Sequence, residues 1–111
     1  MNNNCHHKAE CCVNKKLTEA YVDLAKFLRI IGDNNRLKIL CLLKDKELYV
    51  DELSCNLGLA QNLISSHLKV LVAFNLVKIK KLGQRNYYSV NKQIFKKYNS
   101  LLSSFLKNYE K

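Results

Sequence analysis

The sequence contains no proline and no tryptophan, only three glycines, and no long apolar run. A membrane-spanning helix needs roughly 18 or more consecutive apolar residues, and no segment supplies them. No secretory signal is recognisable, so the sequence predicts a cytoplasmic protein without a membrane span. The chain also lacks a Cys-x-x-Cys motif within a βαβ pattern, which argues against a thioredoxin-like or metal-carrying thiol protein. We expect no enzymatic activity.

Acidic residues are scarce in the second half of the chain. Residues 1–60 contain nine Lys and Arg against eight Asp and Glu, whereas residues 61–111 contain ten against one, and together these give the net charge of +10. Such asymmetry indicates a polyanionic partner. Nucleic acid is favoured over a membrane surface, because no basic amphipathic helix stands alone.

Residues 50–73 have the pattern of two short helices joined by a tight turn. Val50, Leu53 and Leu57 recur at helical spacing, and Gly58 follows where a left-handed residue would end the helix. Another helix follows, with an apolar seam and a separate face of short polar side chains, which suit hydrogen bonding to base edges in a major groove about 12 Å wide. The alternative is an ordinary solvated face. The seam contains Ile64, Leu68 and Leu71, and the polar face contains Asn62, Ser65, Ser66 and Lys69.

A basic hairpin is predicted directly after these helices. Val77–Leu82 and Arg85–Val90 are strand-like runs, and Gly83 with Gln84 supplies the turn. Phosphates flank a groove that a helix occupies, so basic side chains on such a hairpin can fix the register of the helix electrostatically. Residues 51–88 therefore predict a winged helix-turn-helix, with a wing that carries Lys78, Lys80, Lys81 and Arg85.

Longer amphipathic helices are predicted on both sides of this module, over about residues 17–31 and 94–109. Each apolar stripe is wider than one small domain can cover. We therefore expect the two terminal helices to pair with those of a second subunit in a homodimer, the alternative being that both fold onto their own core. The expected organisation is a flexible segment at 1–16 and a DNA-binding and dimerisation domain at 17–111.

The helix between these elements is expected to begin after Asp33, as N-cap, and to run to about Lys44. Leu37, Leu40 and Cys41 are predicted to turn inward, and Cys41 is interpreted as a core residue. His67, at the edge of the seam in the following helix-turn-helix, is interpreted as a hydrogen-bonded structural imidazole.

The segments GDNNRLKIL, ELYVDEL, GLAQNLISSHLKVL and NLVKIKKLGQRNYYSV, with a helix after them, resemble the ArsR/SmtB family of small dimeric repressors, which release DNA on binding a metal ion, metalloid or oxidant. The resemblance covers about Leu17 to the C-terminus. It implies a mainly α fold with a small β-hairpin, in the order α-α-α-α-β-β-α, that dimerises through its terminal helices and binds double-stranded operator DNA without a required cofactor. It implies that DNA is contacted by Gln61, Asn62, Ser65, Ser66 and Lys69, with Lys80 and Arg85 in the wing.

Two metal sites of that family are not expected in this chain. One uses a cysteine pair where Tyr49 and Asp51 stand here. The other uses Asp and His on the last helix, which contains neither. A dithiol that senses persulfide or oxidants would pair Cys41 with a cysteine on that last helix, and none is present.

The N-terminal segment contains five soft donors within eight residues: Cys5, His6, His7, Cys11 and Cys12. Adjacent thiolates can both reach one large soft ion, although Cys/His tracts also occur without function. The sequence AECC resembles the arsenic-responsive members of the family. This implies arsenite or antimonite as effector at Cys11 and Cys12, with cadmium, lead or zinc as alternatives.

The third ligand of this predicted site stays open between Cys5 of the same segment and Cys55 of the partner subunit. Cys55 is otherwise interpreted as a small buried hydrophobe. The sequence thus predicts a homodimeric repressor that a thiophilic ion releases from DNA. The alternative is a regulator of the same fold that responds to persulfide or oxidants through its thiols, or to no ligand.

Overall fold

A computed structural model describes residues 15–110 of the chain, and side chains from residue 18 onward. Helices and one hairpin follow each other in the predicted mainly α order, and the arrangement is a winged helix-turn-helix. The elements are α1 (Lys15–Ile31), α2 (Asn34–Leu42), α3 (Val50–Leu57), α4 (Gln61–Ala73), β1 (Val77–Leu82), β2 (Arg85–Val90) and α5 (Lys92–Lys107).

The predicted start of α2 is confirmed at Asp33. This residue is extended, and its carboxylate accepts hydrogen bonds from the backbone amides of Asn35 at 2.9 Å and Arg36 at 3.1 Å. These bonds satisfy amides that have no acceptor within the first turn of the helix. The helix ends at Leu42, two residues before the predicted end.

The core of the helix-turn-helix is the predicted apolar seam of α4 packed against α3. Ile64, Leu68 and Leu71 are fully buried together with Leu53. Between the terminal helices, the ring of Phe27 on α1 stacks on Tyr98 of α5, with 4.4 Å between ring centroids. Burial raises the pKa of the Tyr98 phenol. The aromatic stack ties the two terminal helices together.

The hairpin is antiparallel and its two strands have the predicted bounds, with Val77 opposite Val90 and Leu82 opposite Arg85. Gly83 at its tip has φ +63°, a conformation that glycine adopts without steric cost. The loop before α3 also pairs with β2. The amide of Leu48 donates to the Tyr88 carbonyl at 3.1 Å, and the amide of Tyr88 donates to the Leu48 carbonyl at 2.8 Å. These bonds hold the hairpin against the start of the helix-turn-helix.

The exposure of one leucine and two cysteines differs from what the sequence predicts. Leu40 is buried as predicted, but the inward placement of Leu37 and Cys41 is wrong, since Leu37 is 47% exposed and Cys41 is exposed. Residues 37 and 41 lie one turn apart on a face of α2 that meets a cleft between the end of α1 and the start of α5 instead of the core. Cys55 is exposed on α3 as well, so its interpretation as a buried hydrophobe is wrong.

Candidate nucleic-acid interface

The polar face of α4 is open to solvent. Gln61, Asn62, Ser66 and Lys69 are exposed, and Ser65 is half-buried. Their shared orientation follows from the burial of the opposite seam, because residues three and four positions apart lie on one side of a helix. Side chains that donate and accept hydrogen bonds therefore project from the domain along about two turns of α4.

The turn between α3 and α4 sets the direction in which this face points. Gly58 has φ +65° and ends α3 by donating its amide to the Ser54 carbonyl at 2.8 Å. The Ser54 hydroxyl in turn donates to the carbonyl of Leu59. A left-handed residue at this position turns the chain sharply, so that only three residues separate the end of α3 from the start of α4.

A side-chain hydrogen bond joins α4 to α2 from the other side. The Nε of Arg36 donates to Nδ1 of His67 at 3.2 Å, and the same guanidinium lies 3.4 Å from the Ile30 carbonyl. This confirms the structural interpretation of His67. The bond connects residues that are 31 positions apart, and it holds the α4 helix against α2.

The basic side chains of the hairpin lie at the surface. Lys78, Lys80, Lys81 and Arg85 are all exposed. The Arg85 guanidinium lies 4.2 Å from the centroid of the Tyr49 ring, within the range of a cation–π interaction. Tyr87 meets the same Tyr49 ring edge-on, with 5.4 Å between centroids. Tyr49 thus supports Arg85. Among the described residues, Arg85 is the one basic residue of the wing that contacts an aromatic ring.

Sequence reasoning missed this role of Tyr49. The residue attracted attention only because it stands where some relatives have a metal-binding cysteine. No local signal in the sequence indicates the contact, because it depends on Leu48, directly before Tyr49 and the N-terminus of α3, pairing with Tyr88 of β2. That pairing brings the start of α3 and the wing into contact.

The structure brings the polar face of α4 and the wing to one hollow of about 320 Å³. Ser65 lines it from α4 and Arg85 from β2, while Asp51 contributes an exposed carboxylate from the first turn of α3. Two of the sequence-predicted DNA contacts therefore share one surface, although 20 positions separate them in the chain.

The predicted thiolate site falls largely outside the part of the chain that the structure describes. Cys5, Cys11 and Cys12 are not among residues 15–110, and Cys55 is exposed on α3. Within that described range, no cluster of three or more His, Cys, Asp or Glu side chains is placed to hold a metal ion. The same range contains no helix that is both long and apolar enough to cross a bilayer.

The chain is similar to proteins of one known family. Residues 33–78 match the model of the arsR family of bacterial regulatory proteins. Over 75 residues, which cover 68% of this chain and 72% of the relative, the chain is 36% identical to the arsenical resistance operon repressor of Staphylococcus aureus. The chain belongs to the arsR family.

Other relatives in this family are regulators of different kinds. The chain is 41% identical to the transcriptional activator HlyU of Vibrio cholerae over 64 residues, 58% of this chain and 59% of that protein, so the match spans less than two thirds of HlyU. The solved structure of reduced HlyU has a TM-score of 0.66 and 27% identity, covering 87% of this chain and 99% of that one. An ArsR-like regulator from Rhodococcus has a TM-score of 0.72 at 24% identity, covering 81% and 85%, and supports the fold. These relatives are regulators and not enzymes.

Proposed function

We propose that this arsR-family protein is a transcriptional repressor that binds operator DNA as a homodimer and leaves it when a thiophilic ion binds. The observation that carries the proposal is the exposed hydrogen-bonding face of α4 beside a basic wing. Membership of the arsR family supports DNA binding, and the similarity to an arsenical resistance operon repressor supports the effector.

In this proposal α4 enters the major groove and the wing contacts the flanking backbone. Base edges present donors and acceptors that short polar side chains can read, whereas phosphates attract cations regardless of sequence. Lys80 and Arg85 therefore fix the register by charge. The residues assigned to the groove are Gln61, Asn62, Ser65, Ser66 and Lys69.

Exposed apolar side chains on the terminal helices support the homodimer. Tyr21, Val22 and Leu28 on α1 are exposed, as are Leu106 on α5 and Tyr109 just after it. A second copy that covered them would remove this surface from water. Two-fold symmetry would then place two α4 helices about one DNA turn apart, which requires a palindromic operator.

The effector is proposed to be arsenite or antimonite, bound by Cys11 and Cys12, with cadmium, lead and zinc as alternatives. Three soft thiolates suit a trivalent metalloid better than imidazole or carboxylate would. The third thiolate comes from Cys5 or from Cys55, and the exposure of Cys55 on α3 makes it accessible to a ligand. Ligation through Cys55 would act directly on the DNA-binding unit.

A response to oxidants is the second candidate function. The observation that favours it is the exposure of two thiols, Cys41 and Cys55, among the described residues. Exposed thiols are accessible to oxidation, although reactivity also requires the thiolate form. In that case peroxide or persulfide, and not arsenite, would release the protein from DNA.

DNA recognition is tested by fluorescence anisotropy on an operator selected from random duplexes. We expect Lys80→Ala and Arg85→Ala to weaken binding to every duplex and to lower the salt slope by about 1 each. Asn62→Ala and Ser65→Ala should instead change the preferred sequence. Equal losses on operator and random DNA for all four variants would contradict the assignment of Asn62 and Ser65 to base readout.

Release is tested by titrating the protein–DNA complex with arsenite. A hundredfold loss of DNA affinity corresponds to a coupling free energy of about 2.7 kcal/mol, within the usual range for allosteric effectors. The double variant Cys11→Ser, Cys12→Ser should keep its DNA affinity and lose the response, whereas Cys41→Ser should keep both. Release of the double variant at the wild-type arsenite concentration would overturn the metalloid proposal.

The third ligand is identified in the same assay. If it is Cys55, then Cys55→Ser abolishes release and Cys5→Ser does not, and the converse result assigns Cys5. A parallel titration with peroxide separates the two candidate functions. Peroxide should release an oxidant sensor from DNA, whereas arsenite added under reducing conditions should not.

A further inference from the structure

An apolar cleft lies between the end of α1, the outer face of α2 and the start of α5. Its volume is about 280 Å³, close to the lower limit of the roughly 300–1,000 Å³ that is usual for small-molecule sites. Carbon and sulfur atoms dominate its walls, and charged groups lie only at its rim. The walls consist of Ile31, Leu37, Leu40, Cys41, Val90 and Phe95.

The cleft exposes to water apolar side chains that the helical pattern of α2 predicts to be buried in the core. Leu37 is 47% exposed, and the neighbouring Cys41 is exposed one turn later on the same face. Water in contact with such a concave apolar surface is released when a ligand of matching shape covers it. Shape and composition therefore favour a ligand with a hydrocarbon body.

The rim carries one more positive charge than negative. The Lys92 ammonium lies 3.0 Å from the Asp45 carboxylate, and these two charges offset each other. Lys44 also lines the cleft, and in the described part of the chain its side-chain ammonium makes no hydrogen bond or ion pair, although its charge contributes to lowering the pKa of Asp45. An anionic group at the rim would therefore find one ammonium that another carboxylate does not already occupy.

We propose that this cleft binds a small apolar carboxylate, of the size of a medium-chain fatty acid. The hydrocarbon chain lies against Leu37, Cys41 and Phe95, and the carboxylate meets Lys44. A cationic head group is disfavoured because it would lie beside two lysines. The site contains none of Cys5, Cys11, Cys12 and Cys55, so the proposal does not depend on the thiolate effector described above.

The Cys41 thiol provides the readout, because a ligand in the cleft shields it from alkylation. The full-length protein is labelled with iodoacetamide in the presence of octanoate, octanol or octylamine, and each cysteine is quantified by peptide mass spectrometry. At ten times its Kd, octanoate leaves about one tenth of the clefts empty, so labelling of Cys41 should fall about tenfold. Cys55, which does not line the cleft, should be labelled at an unchanged rate and serves as the internal reference.

Variants separate the charge from the apolar walls. Lys44→Ala should weaken octanoate about fivefold, the upper range for an exposed ion pair, and leave octanol unchanged. Lys46→Ala is the matched control, because this exposed lysine is nearby but does not line the cleft. Leu37→Glu should abolish protection by octanoate, since it places a carboxylate in the cleft.

Three results would overturn the proposal. The first is unchanged labelling of Cys41 at every octanoate concentration below its micelle threshold. The second is protection by octylamine equal to that by octanoate. The third is a Cys41 that is unreactive without any ligand while Cys55 reacts, because another part of the protein would then occupy the cleft.

Discussion

Asp33 shows how one side chain fixes the start of an element. Two backbone amides donate to its carboxylate, and these hydrogen bonds, chiefly the one from Arg36, lower its pKa. We expect Asp33→Ala to reduce the free energy of unfolding by about 1 kcal/mol, the usual cost of losing an N-cap. Urea denaturation at neutral pH measures this change.

The same residue predicts a pH dependence with a defined sign. Because the folded-state pKa of Asp33 lies below its ordinary value of 3.8, its contribution is complete above that value and is lost as the pH falls through the folded-state pKa. Asp33→Asn keeps the capping oxygen and removes the titration. We therefore expect its stability to approach that of the wild type at neutral pH and to decline less in acid, and a parallel decline would contradict this account.

We expect Tyr49 to affect DNA binding through the position of Arg85, whose guanidinium lies over its ring. A cation–π contact at an exposed site contributes about 0.5–1 kcal/mol, so Tyr49→Ala should weaken DNA binding about threefold, by anisotropy, while Tyr49→Phe, which keeps the ring face, should bind as the wild type does. In a double-mutant cycle, Tyr49→Ala should have no further effect once Arg85 is Ala. Additive effects would mean that Tyr49 acts independently of Arg85.

At the scale of elements, the turn between α3 and α4 determines where the polar face of α4 points. Gly58 has φ +65°, and an added Cβ would meet no atom within 4 Å, so only the backbone conformation resists substitution. Gly58→Ala should cost about 1 kcal/mol in unfolding free energy because L residues are strained in this region. Gly58→Asn should cost less, since asparagine tolerates it. Equal losses for both variants in thermal denaturation would contradict a conformational origin.

At the scale of the whole molecule, the proposed dimer depends on the apolar faces that α1 and α5 turn outward. Leu28→Glu places a charge on the exposed face of α1 and should shift the protein from dimer to monomer in analytical ultracentrifugation. Leu82→Glu is the matched control, because Leu82 has a similar exposure but lies at the wing tip. A monomeric wild type, or equal dissociation of both variants, would refute the assignment of the dimer interface.

Features that depend on short-range pattern could be predicted from the sequence alone. The seam of Ile64, Leu68 and Leu71, the cap at Asp33 and the left-handed Gly58 were predicted correctly. Helical periodicity, capping and positive φ are all determined within a few residues, so each leaves a local signal in the chain. The charge of residues 61–111 is likewise a property of the sequence itself.

Only the tertiary structure decided the features that join distant residues. Arg85 over Tyr49 and Arg36 against His67 connect residues that are more than 30 positions apart, and no local pattern encodes such contacts. The exposure of Cys41 has the same origin. Its position in α2 is helical and apolar in pattern, but whether that face meets the core or a cleft depends on where α1 ends and α5 begins. Periodicity determines which residues share a face, and packing between elements determines what covers that face.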